Sequence, residues 1–405
     1  MPSFAQTLTW AVAAAALAVA TPVDTKVGTL TLNQARNPNF VTKSGVHAMA
    51  KVFRKYGKPL PENLAAALAN TTVTRRDGSV TTTPESDDTE YLTPVQIGTP
   101  AVTLNLDFDT GSSDLWVFSS DLSASLRSGH SYYTPSKSST SSKLSGQTWS
   151  IQYGDGSGAS GNVYSDVVSI GGVKFATQAV ETASKISTQF TQDTNNDGLV
   201  GLAFSSINTV SPKQQKTFFD NVKNSLTKPI IGVDLKAGAP GSYDFGFANS
   251  NSYTGSIAYV SVDNSQGFWS FTANGYSVGS KSSSTKLTGI ADTGTTLLLL
   301  PTSVVKAYYS QVSGASNSAS EGGYIFKCST TLPDFSFNVG SNTITIPGSL
   351  MNYAPISDGS STCFGGLQAD TDIGLSIFGD IALKAAYVVF DNSATPRLGW
   401  ANKNL

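Results

Sequence analysis

Charge, histidine and cysteine are scarce in this sequence. Of its 405 residues only 13% are charged, and there are two histidines, His47 and His130, and two cysteines, Cys328 and Cys363. The cysteines and histidines lack the spacing of a zinc site, so we expect no metal and no cofactor. We also expect His130 on the surface. A single pair of cysteines is weak evidence for a disulfide, but becomes good evidence in an exported protein.

Long apolar runs are missing as well. The run from Trp10 to Ala20 is too short to span a bilayer, and it ends in the small-residue sequence Ala-Val-Ala. These features favour a signal peptide over residues 1–20 rather than a buried helix, although a positively charged n-region is lacking. No later stretch reaches about 18 apolar residues. We therefore expect a secreted, extracellular protein with no membrane-spanning segment.

Glycine, aromatic residues and short alternating runs are abundant instead. The chain has 37 glycines and 10% aromatic residues. From about Tyr91 onward, runs of period-two alternation are separated by turns rich in Gly, Ser, Asn and Asp, which is typical of many short strands. The clearest runs are VTLNLDF, TWSIQYG, VVSIGGVKF, SIAYVSV and TITIPG. We predict a mainly β protein with one good helix in each half, over 215–226 and 303–314.

The segment ahead of this body has a different composition. Residues 21–76 carry nine Lys or Arg and two acidic residues, whereas residues 77–405 carry 17 basic and 26 acidic residues. A leader of charge +7 before a body of −9 favours electrostatic docking of one on the other. The alternative is a basic arm for nucleic acid, but no nucleic-acid fold signature accompanies it. Apolar residues at helical spacing predict helices over 46–57 and 61–70, and Arg75-Arg76 is a candidate processing point.

A repeat divides the body. The sequence FDTGSS at 108–113 returns as ADTGTT at 291–296. Later in each half, two apolar residues precede a glycine, Gly201 in DGLVGLAF and Gly379 in LSIFGDIAL. The two glycines lie 92 residues after Asp109 and 87 residues after Asp292. Similar elements at similar offsets indicate a duplicated unit.

The repeat also indicates chemistry. A carboxylate at the end of an apolar strand is costly to bury, and a second one beside it is costlier unless the two share a proton. Asp109 and Asp292, so paired, could activate a water molecule and polarise a carbonyl group without a metal ion. The other motif residues fit support roles as cross-linking hydroxyls, closely approaching backbone and hydrogen-bond donors to each carboxylate. These residues are Thr110, Gly111, Ser112, Thr293, Gly294 and Thr295.

Five stretches in their order carry a family resemblance: DFDTGSSDLWV, IQYGDGSG, DGLVGLAF, ADTGTTLLLLP and SIFGDIALKAAYVVFD. They resemble the signature stretches of the pepsin-like aspartic proteases, in particular the secreted fungal enzymes of the aspergillopepsin and penicillopepsin type. The resemblance covers roughly residues 80–405. It implies a bilobal fold with the active-site cleft between two homologous β-lobes, and an aspartic endopeptidase whose catalytic pair is Asp109 and Asp292.

The resemblance assigns further residues to a flap. Tyr153, Gly154 and Asp155 match the tip of a β-hairpin that closes over the substrate. Trp116 matches a residue that meets the Tyr153 hydroxyl and steadies this flap. In the fungal relatives, a carboxylate at the position of Asp155 is associated with accepting Lys at P1, beside the general preference for large hydrophobic residues around the cut.

A second group of residues matches the substrate pocket and a disulfide. Phe190 and Leu199 match positions lining the S1 pocket, and we interpret Asp107 as a neighbour of that pocket. Cys328 and Cys363 match the disulfide of the C-terminal lobe. The resemblance implies protein and peptide substrates, inhibition by pepstatin-type compounds, and a monomer with no nucleic-acid or membrane partner.

The leader resembles the propeptide of these enzymes, which are made as acid-activated zymogens. This gives a domain division into a signal peptide (1–20), a basic propeptide (21–78), an N-terminal lobe (79–260) and a C-terminal lobe (261–405). The sequence RKYGK at 54–58 contains a Lys-Tyr pair that resembles the one whose lysine reaches the catalytic aspartates. We predict that Lys55 is this lysine, with Lys51 and Lys58 as alternatives. We call it the latch of the zymogen, because it would block the catalytic aspartates until the leader is removed.

The two aspartates and the function of the chain each have alternative interpretations. Asp109 alone could be a turn residue, and Asp107, on the same strand face, could be the catalyst, but it lacks the Thr-Gly that follows Asp109. A pepsin-like binding protein without activity is a second function, although both motifs and the flap tyrosine are intact. A glycosidase with two carboxylates is a third, and it gives no reason for the repeated Asp-Thr-Gly.

Overall fold

A computed structural model describes residues 29–33, 35–36, 44–70, 91–152, 158–357 and 359–405. The predicted signal peptide, the Arg75-Arg76 processing point and the flap residues Tyr153, Gly154 and Asp155 lie outside these residues. Among the described residues, no helix is long and apolar enough to cross a bilayer. The fold is mainly β, which confirms the predicted class.

The elements are numbered in chain order. The leader contains β1 (Leu30–Asn33), β2 (Ala35–Arg36), α1 (Gly45–Lys55) and α2 (Glu62–Asn70). The N-terminal half contains β3 (Tyr91–Ile97), β4 (Val102–Asp109), β5 (Leu115–Val117), β6 (Ser142–Gln152), β7 (Gly158–Ile170), β8 (Val173–Ile186), α3 (Thr188–Thr191), β9 (Gly198–Gly201), α4 (Phe218–Val222), β10 (Ile230–Asp234), β11 (Ser242–Phe245) and β12 (Thr254–Ser261). Short 3-10 helices span Pro135–Lys137 and Ser205–Ile207.

The C-terminal half continues the numbering. Its strands are β13 (Ser270–Ala273), β14 (Tyr276–Val278), β15 (Lys281–Ser283), β16 (Leu287–Ala291), β17 (Leu298–Leu300), β18 (Ser316–Ser318), β19 (Gly323–Lys327), β20 (Phe335–Val339), β21 (Asn342–Ile346), β22 (Asn352–Pro355), β23 (Thr362–Gly365), β24 (Leu367–Ala369), β25 (Ser376–Phe378), β26 (Ala386–Asp391) and β27 (Arg397–Asn402). Its helices are α5 (Thr302–Tyr309), α6 (Gly348–Met351) and α7 (Asp380–Leu383).

The two halves use one strand pattern around their motifs. In the N-terminal half, an eight-stranded sheet has the order β2-β3-β4-β9-β5-β8-β7-β6, and β4 pairs in parallel with β9. In the C-terminal half, a five-stranded sheet has the order β13-β16-β25-β17-β24, and β16 pairs in parallel with β25. Each Asp-Thr-Gly therefore begins at the end of an inner strand, β4 or β16. The parallel neighbour of that strand, β9 or β25, ends at or just before the glycine of the apolar-apolar-Gly sequence.

A six-stranded sheet takes strands from both halves and from the leader. Its order is β1-β11-β10-β26-β27-β12. The leader strand β1 pairs antiparallel with β11, and β2 pairs with β3. No alternating pattern predicts these strands of the leader, because segments of four and two residues are too short for such a pattern to stand out.

The predicted helices are present, with corrected bounds. In the leader, α1 and α2 fall within one residue of the predicted start of each segment. The helix expected over 215–226 is reduced to α4, which begins after Thr217, whose hydroxyl accepts a hydrogen bond from the backbone N–H of Asp220. The three apolar residues of α4 are all buried, and turns follow it. The helix expected over 303–314 is α5, which ends at Tyr309.

The leader helices pack against the C-terminal half. Apolar side chains of α1 and α2 form one buried cluster with residues of that half. The leader contributes Val46, Ala48, Met49, Val52, Phe53, Leu64 and Ala67, and the body contributes Ile290, Leu297, Leu299, Tyr353, Ala354, Phe364, Ile373 and Ile377. Hydrophobic burial therefore supports the docking that the opposite net charges predict.

The predictions for the cysteine pair and for His130 have clear outcomes. The disulfide between Cys328 and Cys363 is confirmed, and it joins the start of the loop after β19 to β23. The prediction that His130 lies on the surface is wrong, because the residue is only 7% exposed. Its ring stacks on Phe118 with centroids 3.7 Å apart, and its nitrogen atoms face backbone carbonyl oxygens. A sequence gives no sign of this contact, which joins residues from different elements.

Candidate active site

The two repeated motifs meet at one point. Asp109 ends β4 and Asp292 directly follows β16, and both side chains are buried. The backbone N–H of Gly111 donates to Oδ1 of Asp109 at 2.7 Å, and that of Gly294 donates to Oδ1 of Asp292 at 3.0 Å. Each turn thus binds its own carboxylate through the glycine two residues later.

The fourth residue of each motif supplies a hydroxyl donor. Ser112 Oγ donates to Oδ2 of Asp109 at 2.6 Å, and Thr295 Oγ1 donates to Oδ2 of Asp292 at 2.6 Å. Together with the glycine N–H groups, these bonds fix the orientation of both carboxylates. The predicted support residues are therefore placed where a donor to the carboxylate is needed.

The threonines join the two motifs. Thr110 Oγ1 donates to the carbonyl oxygen of Ala291 at 3.0 Å and accepts from the N–H of Thr293 at 3.0 Å. In return, Thr293 Oγ1 donates to the carbonyl oxygen of Phe108 at 2.6 Å and accepts from the N–H of Thr110 at 3.1 Å. Because each threonine bonds the other half's backbone, the relative position of the carboxylates is set by four buried hydrogen bonds.

The glycines of the motifs allow the carboxylates to approach each other. A Cβ atom on Gly111 would lie 2.5 Å from Oδ1 of Asp292, and one on Gly294 would lie 2.4 Å from Oδ1 of Asp109. Each glycine therefore faces the carboxylate of the opposite half. Any larger residue at either position would push the two halves of the site apart.

Gly201 and Gly379 fit closely under the two motifs. A Cβ atom on Gly201 would lie 2.5 Å from the Cα of Ser113, and one on Gly379 would lie 2.2 Å from the carbonyl oxygen of Thr295. Backbone hydrogen bonds complete the contact, from Gly201 N to Asp114 O and from Asp380 N to Thr295 O, both 2.8 Å. Gly201 ends β9 and Gly379 directly follows β25, so the end of each of these strands lies against the Asp-Thr-Gly turn of its own half.

A leader lysine lies between the two carboxylates. The Nζ atom of Lys55 is 2.6 Å from Oδ1 of Asp109 and 2.7 Å from Oδ1 of Asp292. Its side chain is 11% exposed. The alternatives Lys51 and Lys58 line the adjoining cavity. The lysine predicted from the Lys-Tyr pair is therefore the one placed at the carboxylates.

The neighbouring tyrosine was not predicted as a site residue. The hydroxyl of Tyr56 donates to Oδ2 of Asp292 at 2.6 Å, and its ring packs edge-on against Phe268 with centroids 5.8 Å apart. Asp292 consequently accepts three hydrogen bonds from two donor groups outside its own turn: Nζ of Lys55, which reaches both carboxylate oxygens, and this hydroxyl. The Lys-Tyr pair was the available signal in the sequence.

The electrostatics of the three groups follow from burial and from the ion pairs. Burial alone would lower the pKa of Lys55, but Asp109 and Asp292 outweigh it and raise that pKa. Burial would raise the pKa of Asp292, but Lys55, Thr295 and Tyr56 together lower it to about 2. At Asp109 burial prevails over Lys55, and the pKa is raised. The lysine thus holds Asp292 ionised in acid, while Asp109 is the easier of the two to protonate.

A cavity of about 960 Å³ adjoins Asp109 and is lined by residues of the leader and of both halves of the body. Asp107, Trp116, Phe190 and Leu199, which were predicted near the flap and the S1 pocket, all line it. Trp116 contacts Phe190 edge-on, with ring centroids 5.3 Å apart. The predicted contact of Trp116 with the flap tyrosine lies outside the described residues. The placement gives the cleft an apolar wall next to the carboxylates.

Asp107 is a buried carboxyl group in this wall. Burial raises its pKa to about 6, although the positive charge of Lys51 opposes the shift. It lies two residues before Asp109 on β4, and the charge of Asp109 adds to the shift. Among the described residues, no group of side chains could hold a metal ion.

Comparison with known proteins gives a consistent result. The family described as eukaryotic aspartyl protease matches residues 90–403. Endothiapepsin from Cryphonectria parasitica is 58% identical over 381 residues, which cover 93% of this chain and 91% of that protein. Aspergillopepsin-1 from Aspergillus oryzae is 57% identical over 96% of this chain and 97% of its own length. Penicillopepsin-3 from Penicillium janthinellum is 55% identical over 99% of this chain and its whole length.

Proposed function

The chain belongs to the eukaryotic aspartyl protease family, and on that premise we propose that it is an aspartic endopeptidase that hydrolyses peptide bonds of proteins in acid. The observation that carries the proposal is the meeting of two carboxylates from two halves of the chain. One ammonium group contacts both Asp109 and Asp292, at 2.6 and 2.7 Å. A single water molecule in the position of that ammonium group could therefore hydrogen-bond to both carboxylates.

The proposed mechanism uses the pair with one shared proton. When Lys55 has left, two buried carboxylates side by side cannot both remain ionised, so one of them takes up a proton. The ionised member accepts a proton from a water molecule as this water attacks the peptide carbonyl carbon. The protonated member donates a hydrogen bond to the carbonyl oxygen and stabilises the developing negative charge. The hydrogen bonds from Ser112 and Thr295 keep both groups in position throughout.

The substrate preference follows from the wall of the cleft. Trp116, Phe190 and Leu199 present an apolar surface beside the carboxylates, which suits large hydrophobic residues around the scissile bond. The flap at 153–155 is proposed from the family resemblance to close over the substrate. Asp155 would add a negative charge near the mouth of the S1 pocket and permit Lys at P1.

Lys55 keeps the full chain an inactive precursor by blocking the two carboxylates. Its ammonium group occupies the place of the attacking water and ion-pairs with both carboxylates. The leader is held in addition by strand β1 in the six-stranded sheet and by the apolar cluster on the C-terminal half. We therefore assign residues 21–78 to the propeptide, 79–260 to the N-terminal lobe and 261–405 to the C-terminal lobe, with residues 1–20 as the signal peptide of a secreted monomer.

Protonation of Asp292 is not the event that opens this latch in mild acid. Because the pKa of Asp292 is depressed to about 2, its ion pair with Lys55 is kept above that pH and lost only as the pH falls through 2. Burial raises the pKa of Asp107 to about 6, and the positive charge of Lys51 opposes this rise. The attraction between Asp107 and Lys51 exists only while Asp107 is ionised, so it too is lost as the pH falls, but already through about 6. Release of the leader in mild acid thus begins with Asp107 and with Asp109, whose pKa is also raised.

Hydrolysis of denatured haemoglobin tests the proposed function. After incubation in acid, the protein should cleave haemoglobin at pH 3–5, and pepstatin should block the cleavage because it binds the carboxyl pair. A binding protein would show no cleavage, and a glycosidase would cleave an oligosaccharide and not haemoglobin. Absence of pepstatin-sensitive proteolysis in a correctly processed protein would contradict the proposal.

A further inference from the structure

A second pair of buried carboxyl groups lies beneath the N-terminal catalytic loop. Asp114 follows that loop and Glu181 lies on β8, and their exposures are 2% and 1%. Nδ2 of Asn208 donates to Oδ1 of Asp114 and to Oε1 of Glu181, at 2.9 Å in both cases. The two carboxyl groups are also close enough to hydrogen-bond each other. The proposed peptide hydrolysis uses neither of them.

The hydrogen bonds are distributed unequally over the pair. Oδ1 of Asp114 accepts from three donors, which are Asn208 Nδ2, the N–H of Thr209 at 2.8 Å and the hydroxyl of Thr209 at 3.0 Å. Glu181 receives one donor on Oε1, and its Oε2 atom is buried with no partner among the described residues. The three donors stabilise Asp114 as a carboxylate. An ionised Glu181 would instead carry negative charge on a buried oxygen atom that accepts no hydrogen bond.

A proton on Glu181 removes this deficit. As a carboxylic acid, Glu181 can donate to Asp114, and the pair then carries one negative charge instead of two. The charged groups that act on the pair are its own members and Asp109, which adds further negative potential at Asp114. In the described part of the chain, no lysine or arginine forms an ion pair with either carboxyl group. Burial and the nearby Asp114 accordingly raise the pKa of Glu181 well above its ordinary value.

The pair is joined to the catalytic loop through the backbone. The carbonyl oxygen of Asp114 accepts from Gly201 N at 2.8 Å, and that of Ser112 accepts from Ala203 N at 2.8 Å. Glu181 lies opposite Trp116 in the parallel pairing of β5 and β8. A displacement of either carboxyl group therefore shifts the segment that carries Ser112, the hydroxyl donor to Asp109.

We propose that Asp114 and Glu181 share one proton and thereby position the N-terminal catalytic loop, and that loss of this proton toward neutral pH releases the loop. Asp114 and Glu181 are positioning residues and do not touch substrate. The C-terminal half has Leu297 at the place in its motif that Asp114 holds in the first, so this device belongs to one half alone.

The pH dependence has a definite sign. Because the pKa of Glu181 is raised by folding, the proton stabilises the folded state below the ordinary glutamate value of 4.5. This contribution is lost as the pH rises from there toward the raised pKa. For one proton, the ratio of folded to released protein falls about tenfold for each pH unit in that interval.

Glu181→Gln tests the proposal, because glutamine donates a hydrogen bond to Asp114 at every pH and cannot ionise. The mature protein is held at a series of pH values from 4 to 8 and then returned to pH 4, where residual peptide hydrolysis is measured. Returning to acid cancels the reversible ionisation of the catalytic pair. Near-UV circular dichroism at each incubation pH reports the packing of the N-terminal half independently of activity.

The expected result is a midpoint of inactivation that moves upward in Glu181→Gln by on the order of one pH unit or more. Asp114→Asn removes the same repulsion from the other side and should move the midpoint in the same direction. Asp121→Asn is the matched control, because Asp121 is an exposed carboxylate that accepts from Asn162 and Thr182 on the neighbouring strands, and its midpoint should equal that of the parent.

Equal midpoints in the parent and both pair variants would overturn the proposal. If neither variant folds, infrared spectroscopy of the parent decides it. A buried protonated carboxyl band must persist above pH 5 and disappear together with the near-UV signal, and its absence above pH 5 contradicts the shared proton. If the mature parent hydrolyses no peptide at all, the proposed function fails, while the dichroism midpoints still decide the role of the pair.

Discussion

The two Asp-Thr-Gly loops are nearly identical in their internal hydrogen bonds and quite different in what surrounds them. Each carboxylate accepts from the glycine two residues later and from a hydroxyl three residues later, both hydroxyl bonds being 2.6 Å. Beyond the motif, however, the first half continues with Asp114, which is part of a buried carboxyl pair. The second half continues with Leu297, which packs against the leader.

This comparison distinguishes the residues proposed for catalysis, which are the same in both loops, from those proposed for regulation, which differ between the halves. In the proposed mechanism, hydrolysis by a shared proton needs two equivalent carboxylates, and each duplicated loop carries one. The proposed control needs a difference between the halves: the leader helices pack their apolar side chains on the C-terminal half, and the Tyr56 hydroxyl donates to Asp292 alone. The symmetric residues should therefore affect catalysis equally, and the asymmetric ones should affect maturation or pH stability.

The largest expected effect comes from the symmetric pair. Asp109→Asn and Asp292→Asn should each reduce peptide hydrolysis by at least about 10³-fold, because neither carboxyl group can activate water without the other. Hydrolysis of a peptide substrate by each purified variant, after removal of the leader by an added protease, measures this. Near-UV circular dichroism checks that the fold is kept. Substantial activity in either variant, or an Asp109→Asn precursor that trims itself, would show that the halves are not one site.

The next effect concerns the latch. Lys55→Met leaves two buried carboxylates without their cation, and removal of one partner of a buried ion pair costs about 3–5 kcal/mol. The variant precursor should therefore show peptide hydrolysis or self-processing at pH 6–7, where the parent is silent. Lys58→Met is the matched control, since Lys58 lines the same cavity while the described ion pairs of Asp109 and Asp292 are made by Lys55. A Lys55→Met precursor as silent as the parent would remove Lys55 from the latch.

Asp107→Asn tests the pH at which the latch opens. Asparagine imitates protonated Asp107, so the attraction to Lys51 that the parent loses near pH 6 is absent at every pH. The curve of precursor conversion against pH should shift upward in the variant. A trace of mature parent enzyme is added to both precursors, so that a catalytic defect of the variant does not affect the result. Superimposed curves would mean that the trigger lies elsewhere.

The disulfide should have a smaller effect that is confined to the second half. Cys328 and Cys363 are separated by 35 residues, and a loop of that size corresponds to about 3–4 kcal/mol in the chain-entropy account. Replacing both residues with Ser should lower the melting temperature and leave the cleavage pattern unchanged. Calorimetry combined with a peptide-cleavage profile measures both. An altered cleavage pattern would show that the disulfide shapes the substrate cleft.

The smallest expected effect concerns specificity in the first half. Asp155→Thr should reduce cleavage after Lys more than cleavage after Phe, because only the cationic side chain gains from the carboxylate. The ratio of kcat/KM for two peptides that differ in this one residue measures it. An equal fall for both peptides would make Asp155 a structural residue of the flap.

The sequence predicted the fold class and the disulfide, and both are confirmed, because repeated motifs, alternating runs and a single cysteine pair leave a direct record in the chain. The catalytic roles of Asp109 and Asp292 and the latch role of Lys55 stay predictions, although the structure places all three groups in contact. The leader strand β1 escaped notice because four residues carry little pattern. His130 and the pair of Asp114 with Glu181 could not be predicted, because their contacts join residues that no motif connects.

Titration of the site with pepstatin tests the central claim most directly, which is that the two halves build one site and that Lys55 occupies it in the precursor. Calorimetry with the precursor at pH 7 should show no binding, and the same protein after conversion in acid should bind one pepstatin per chain. Binding of one pepstatin per chain by the unconverted precursor at pH 7, or none by the mature protein, would contradict the account.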